Sequence, residues 1–107
     1  MLVAKKRKKI VPEDGNFRWT QRPGKNLLSE SQWVQTKEFL GLSNREYEVC
    51  RLLVLGLNRS EISDKLGLKF RTARQYVEQL HDKLRVNSRV ALVLRIVEVR
   101  DHLNPRT

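Results

Sequence analysis

From Ser29 onward, apolar positions recur every three or four residues, and polar residues fill the intervals. That recurrence marks one buried face of a helix. Trp33, Thr36 and Leu40 share a face in a short first segment, Ser29 to Leu40. A second segment carries Cys50, Leu53 and Leu57, with Val49 and Leu52 on its flanks, and should stop near Gly56. A third is brief, with Ile62 and Leu66 as anchors. A fourth begins near Phe70 and carries Ala73, Val77, Leu80 and Leu84 to about Arg85. The fifth runs from Arg89 to about Leu103 and ends at Asn104-Pro105, because the residue before a proline is disfavoured in a helix. The pattern predicts an all-α fold.

Polar residues at the segment starts sharpen these boundaries. Ser29 with Gln32, Ser43 with Glu46, and Asn58 with Glu61 each have the three-residue spacing of a capping box. In that motif two side chains satisfy each other's backbone N–H groups at a helix start. Leu42 before the second cap and Tyr47 four residues after it are spaced for a hydrophobic staple. Gly41 is expected to close the first helix, and Ser88 to cap the fifth. Lys69 stands at the start of the fourth helix, where a Ser or Thr cap is expected. Cys50 reads as core, and the cap accounts for Glu46 without catalysis.

The fifth segment is apolar on two sides. Val90, Val93, Leu94 and Val97 fall on one side; Leu92, Ile96, Val99 and Leu103 fall nearly opposite. One stripe is expected to close the core. The second is expected to form a dimer seam through Leu92, Ile96, Val99 and Leu103, since exposed apolar stripes mark interfaces. The competing reading is that Trp33 and its neighbours cover that second stripe.

The third and fourth segments, joined at Gly67-Leu68, make a helix-turn-helix candidate. Away from its apolar stripe the fourth helix presents Arg71, Arg74, Gln75, Glu78 and Gln79. Arginine and glutamine have donor geometries suited to base edges in the major groove. An ordinary solvated face has the same composition, so these residues leave the two readings open. The charge shifts the balance. The chain has 107 residues and a formal net charge of +10, and a small basic domain points to nucleic acid before anionic membrane. Residues 1–42 hold nine basic and four acidic side chains, many of the former in Lys5-Lys6-Arg7-Lys8-Lys9; residues 43–107 hold thirteen and eight. Residues 1–28, with Pro12, Pro23, Gly15 and Gly24 and no apolar stripe, are expected to form a flexible basic arm, with Phe17 and Trp19 as places where part of it rests on something. The single cysteine fits a reducing cytoplasm. Nothing resembles a membrane span or a signal peptide's apolar core, so a cytoplasmic, nucleoid-associated location is expected. His81 and His102 are the only histidines; with no metal-ligand cluster and no Gly-rich phosphate loop, neither an enzyme nor any cofactor or metal is expected.

Residues 42–103 resemble the LuxR-type DNA-binding domain, also called FixJ- or GerE-type. Four blocks in order carry the resemblance: Leu42-Ser43-x-Arg45-Glu46-x-Glu48-Val49; Gly56-Leu57-Asn58-Arg59-Ser60-Glu61-Ile62; Leu66-Gly67-Leu68 followed by Arg71-Thr72-Ala73-Arg74 and Tyr76-Val77; and Lys83-Leu84-x-Val86-x-Ser88-Arg89. The resemblance implies a four-helix bundle, here with a short additional N-terminal helix. It also implies a homodimer on double-stranded DNA, regulating transcription. The helix from Phe70 would enter the major groove, and the last helix would dimerise. By matching position Arg74, Gln75 and Glu78 become base-edge candidates, joined by the outward Arg71. Arg59, Lys65, Lys69, Thr72, Tyr76 and Lys83 become phosphate candidates. Lys69 departs from the family's usual Ser, Ala73 from its Val, Tyr76 from its His, and Glu78 is acidic where basic or neutral residues are commoner.

The domain reading is an arm at 1–28, a packing helix at 29–41 and the DNA-binding domain at 42–107, with RNA polymerase as a candidate protein partner. Many family members carry a receiver or small-molecule-binding domain upstream. The forty or so residues before this module are too few for either, so the chain reads as an output module without its input or as a fragment. Two alternatives stand beside the regulator: a sigma-factor region-four-like module, disfavoured by the Val-x-Ser-Arg hinge and the helix after it, and a protein-interaction adaptor that kept the fold without DNA binding.

Overall fold

The computed structural model describes residues 24–105. Their regular structure is helical: α1 spans Glu30–Leu40, α2 Asn44–Val54, α3 Arg59–Leu66, α4 Phe70–Leu84 and α5 Arg89–Leu103. The basic run Lys5 to Lys9, with Phe17 and Trp19, lies outside the described residues.

Local chemistry sets these boundaries. All three capping boxes form: the Ser29, Ser43 and Asn58 side chains accept the N–H groups of Gln32, Glu46 and Glu61, and each third residue accepts in return. Ser88 accepts the N–H of Ala91. At Lys69 no side chain caps α4. Gly41 and Gly67 close α1 and α3 at φ of 65° and 66°, in the left-handed region. α4 closes in the same way without a glycine. Arg85 sits at φ 59°, and the strain of a Cβ there is accepted because the N–H groups of Arg85 and Val86 satisfy the Asp82 and His81 carbonyls.

α4 packs mainly on α2 and α3, and its buried residues are the predicted Ala73, Val77, Leu80 and Leu84. They meet Val49, Cys50, Leu53, Val54, Leu57 and Ile62 in one core. Leu42 is buried and Tyr47 packs against the same core, as the staple requires. α1 packs on α5 and buries Trp33 and Thr36. The Trp33 ring meets Tyr47 edge-on at 6.1 Å. The Arg51 guanidinium stacks 5.3 Å from the Trp33 ring and 5.6 Å from the Tyr47 ring, while forking onto both carboxylate oxygens of Glu30. That pairing lowers the pKa of the exposed Glu30 carboxyl.

Two expectations need correction here. The first is the extent of the arm, expected to reach residue 28: the chain from Gly24 onward is packed. Leu28 is in the core, and Arg100 Nη1 donates to the Leu27 carbonyl at 2.9 Å. Gly24 lies so close to α2 that a Cβ would overlap the Val54 carbonyl oxygen. A segment without an apolar stripe is thus held by backbone proximity and two leucines, signals that periodicity does not register.

The second correction concerns α5. Leu92 and Ile96 are 0% exposed and Val99 is 7%; Leu103 is half-buried. This stripe is the core side, not a free dimer seam. The opposite stripe is the open one, with Val90 69% and Leu94 63% exposed and Val97 half-buried. Val93, at its inner edge, packs against the core. A helix that is apolar on both sides has no preferred face of its own; the partners decide. Here α1 packs on α5, α2 and α4 also contact it, and together they enclose the Leu92–Ile96–Val99 side.

Candidate nucleic-acid interface

α3, the turn at Gly67-Leu68 and α4 place two helices in mutual contact. Burial of one stripe of α4 orients everything else on it. Arg71, Arg74, Gln75, Glu78 and Gln79 are all exposed. Gln75 lies at the centre of the outward face. Arg74 and Glu78 lie on one flank, 3.5 Å apart from Nε to Oε2. On the other flank Thr72, Gln75, Tyr76 and Gln79 line a shallow groove. Tyr76 is half-buried with its ring against the core, and Thr72 is half-buried one turn earlier. Lys65, at the end of α3, and Lys69, in the turn, are exposed.

Lys83 does something different from its expected role as a phosphate contact. Its ammonium donates to Glu46 Oε1 at 2.9 Å and to the Gly41 carbonyl at 3.0 Å. It ties the second half of α4 to the α1–α2 junction. Burial by itself would raise the Glu46 carboxyl, but the Ser43 N–H and the Lys83 ammonium together outweigh it and the pKa is lowered. The Glu46 carboxylate therefore caps α2 and receives Lys83 at once. Sequence spacing exposes the first of these roles only, because residues 46 and 83 meet solely through the α2–α4 packing.

Arg59, another phosphate candidate, is half-buried, and its Nε is enclosed without a hydrogen-bond partner, as is His81 Nε2. Burial lowers the His81 pKa, and the Arg59 charge lowers it further. The two side chains are thus neighbours across α3 and α4, and Arg59 is held partly inward rather than fully presented.

Three arginines of α5 are likewise absorbed by the fold. Arg89 donates to the Leu53 carbonyl at 3.3 Å, Arg95 to the Leu84 carbonyl at 3.0 Å, and Arg100 to Leu27. The first two carbonyls lie in the last turns of α2 and α4, where intrahelical donors run out. Part of the positive charge outside α3 and α4 therefore holds helix ends. Among the described residues, the exposed cations on α3, on the turn and on the first half of α4 are Lys65, Lys69, Arg71 and Arg74, the last of them paired with Glu78. Phe70 marks the start of α4 in the sequence pattern but carries no role there. It extends the apolar stripe one turn past the core and is 50% exposed, and only the place where the core ends distinguishes it from a buried residue.

The luxR family of bacterial regulatory proteins matches residues 40–96, from the end of α1 to the middle of α5. The chain belongs to that family. The LuxR-type match covers the whole helix-turn-helix and leaves most of α1 outside. Over 57 residues the chain is 37% identical to the transcriptional regulatory protein DesR of Bacillus subtilis, covering 53% of this chain and 29% of that protein. Over 52 residues it is 42% identical to the fimbriae Z protein of Escherichia coli, covering 49% and 25%. Over 72 residues it is 33% identical to the bialaphos biosynthetic pathway regulatory protein of Streptomyces hygroscopicus, covering 67% and 28%. The chain thus spans less than a third of the length of these curated relatives. No solved structure matches it at comparable stringency. The family is one of regulators, not of enzymes. Among the described residues no helix is long and apolar enough to cross a membrane.

Proposed function

We propose that this LuxR-type domain binds double-stranded DNA sequence-specifically as a homodimer and regulates transcription. The observation that carries this reading is α4, whose fully buried stripe forces an arginine- and glutamine-rich face outward beside α3. Arg71, Arg74, Gln75 and Glu78 make up the base-facing surface in a major-groove pose. Arginine forks onto guanine and glutamine onto adenine, each worth roughly 1–3 kcal/mol of discrimination. Lys65, Lys69, Thr72 and Tyr76 flank that surface and suit phosphate, which positions the protein without reading sequence. Arg59 and Lys83 contribute less to phosphate binding than their charge suggests, because burial and Glu46 respectively hold them.

The dimer interface in this reading is the open side of α5, centred on Leu94 with Val90 and Val97. An exposed apolar strip on an otherwise charged domain favours a second copy, and two copies require half-sites about 10 base pairs apart or a multiple. RNA polymerase is the candidate protein partner. The test is selection of bound duplexes from a random pool, then binding of variants to the preferred site and its single-base variants at fixed salt. Arg74→Ala is expected to lose affinity mainly on the preferred site and to relax one base position. Lys65→Ala is expected to weaken all sequences about equally. If Arg74→Ala weakens every sequence by one factor, Arg74 is a phosphate clamp and the register of α4 in the groove is wrong.

A further inference from the structure

The ion pair on the outward flank of α4 does little to hold the fold together. Arg74 and Glu78 stand one helical turn apart, with side chains 60% and 59% exposed, and Nε of one is 3.5 Å from Oε2 of the other. An exposed pair of this kind stabilises a helix by only a few tenths of a kcal/mol. An acid here is also unfavourable for a DNA-facing surface, since it repels phosphate. Yet the geometry gives it a use. Glu78 lies on the Nε side of the guanidinium, close enough to attract it, while the two terminal nitrogens make no hydrogen bond to the described residues. Those two nitrogens form the fork that meets O6 and N7 of guanine. Without the carboxylate, the long arginine side chain is free to swing to a neighbouring phosphate, which attracts it more strongly and carries no sequence information.

We propose that Glu78 is a positioning residue for Arg74: the ion pair restrains the guanidinium toward guanine, so Glu78 raises sequence discrimination while lowering general affinity. This rests on the DNA-binding reading above and adds the residue that enforces the choice of base. Gln75 needs no such partner, because its amide is neutral and has no comparable pull toward phosphate.

The experiment uses the full chain and the duplex it selects from a random pool, together with the single-base variants of that duplex. Glu78→Gln keeps the length and hydrogen-bonding capacity of the side chain and removes its charge. Affinity for duplexes lacking the preferred guanine is expected to rise roughly twofold or more, with a steeper salt dependence. Discrimination at the base pair relaxed by Arg74→Ala is expected to fall by roughly three- to tenfold, a share of the approximately 5- to 150-fold that a good arginine–guanine fork supplies. In the Arg74→Ala background, Glu78→Gln is expected to leave discrimination unchanged, since its effect passes through Arg74. The thermal midpoint of the single variant should stay near that of the parent, which separates positioning from folding.

Four results overturn the proposal, two of them together with the reading beneath it. Unchanged discrimination in Glu78→Gln makes the pair a surface contact only. A weakened preference at a different base pair, persisting in the Arg74→Ala background, makes Glu78 a reader of its own base. A parent chain that prefers no duplex, or an Arg74→Ala variant that weakens all duplexes equally, removes the reading beneath the proposal as well. An Arg74→Ala variant that relaxes one position while Glu78→Gln changes nothing removes the proposal alone.

Discussion

The two sides of α5 are expected to respond oppositely to substitution, and the contrast tests the assignment of its stripes. Ile96 is completely enclosed, whereas Leu94 is 63% exposed. Ile96→Ala removes three carbon atoms from a site with no solvent access, and such truncations cost about 2–5 kcal/mol, depending on how far the surroundings collapse. A small domain is stable by only about 5–15 kcal/mol. One kcal/mol shifts the midpoint of a domain this size by roughly 4–8 °C, so a fall of at least about 8 °C is expected. Leu94→Glu places its carboxylate in water and is expected to change stability within about 0.5 kcal/mol. It introduces a charge at the centre of the open stripe, however, so the dimer should dissociate. Circular dichroism melts and sedimentation equilibrium on the same three proteins read both effects. An Ile96→Ala chain with an unchanged melt that sediments as a monomer would return the seam to the Leu92–Ile96–Val99 side. A Leu94→Glu chain that stays dimeric would refute the seam proposed here, as would a parent that is monomeric both free and on DNA.

Glu46→Gln is expected to lower stability at neutral pH by about 1 kcal/mol or more, because the hydrogen bond from Lys83 then meets a neutral acceptor. The folded pKa of Glu46 is depressed below the ordinary 4.5, so its contribution is present above that value and fades as pH falls through the lower folded pKa. Urea midpoints between neutral and about pH 3 should therefore fall less in Glu46→Gln than in the parent; equal falls would refute the linkage. Burial pushes the Cys50 thiol up to about 12, so alkylating reagents at neutral pH should modify the folded chain no faster than it unfolds, and rapid labelling without denaturant would contradict its place in the core. Removing residues 1–10 is expected to reduce the salt slope of DNA binding by about 0.9 for each phosphate those residues neutralise, without reordering site preference; a reordered ranking would mean that the basic run reads a groove.

Much of this domain is legible in its chain because helices announce themselves locally. The three capping boxes, the glycines closing α1 and α3, and the stripe of Ala73, Val77, Leu80 and Leu84 all depend on residues within a few positions of one another. Given that stripe, the outward set on α4 follows from helical geometry alone. Other features depend on which elements meet. α5 is apolar on both sides, so its own period leaves the buried side undecided until α1, α2 and α4 pack against Leu92, Ile96 and Val99. Lys83 looks free for phosphate until α2 brings Glu46 within 2.9 Å. Arg89, Arg95 and Arg100 carry charge that periodicity alone does not place, and each finds a backbone carbonyl on another segment. Periodicity and capping are short-range physics, written in adjacent residues. The choice between two equally apolar faces, and between a cation that binds a partner and one that binds its own fold, is made by contacts between different helices and segments of the chain.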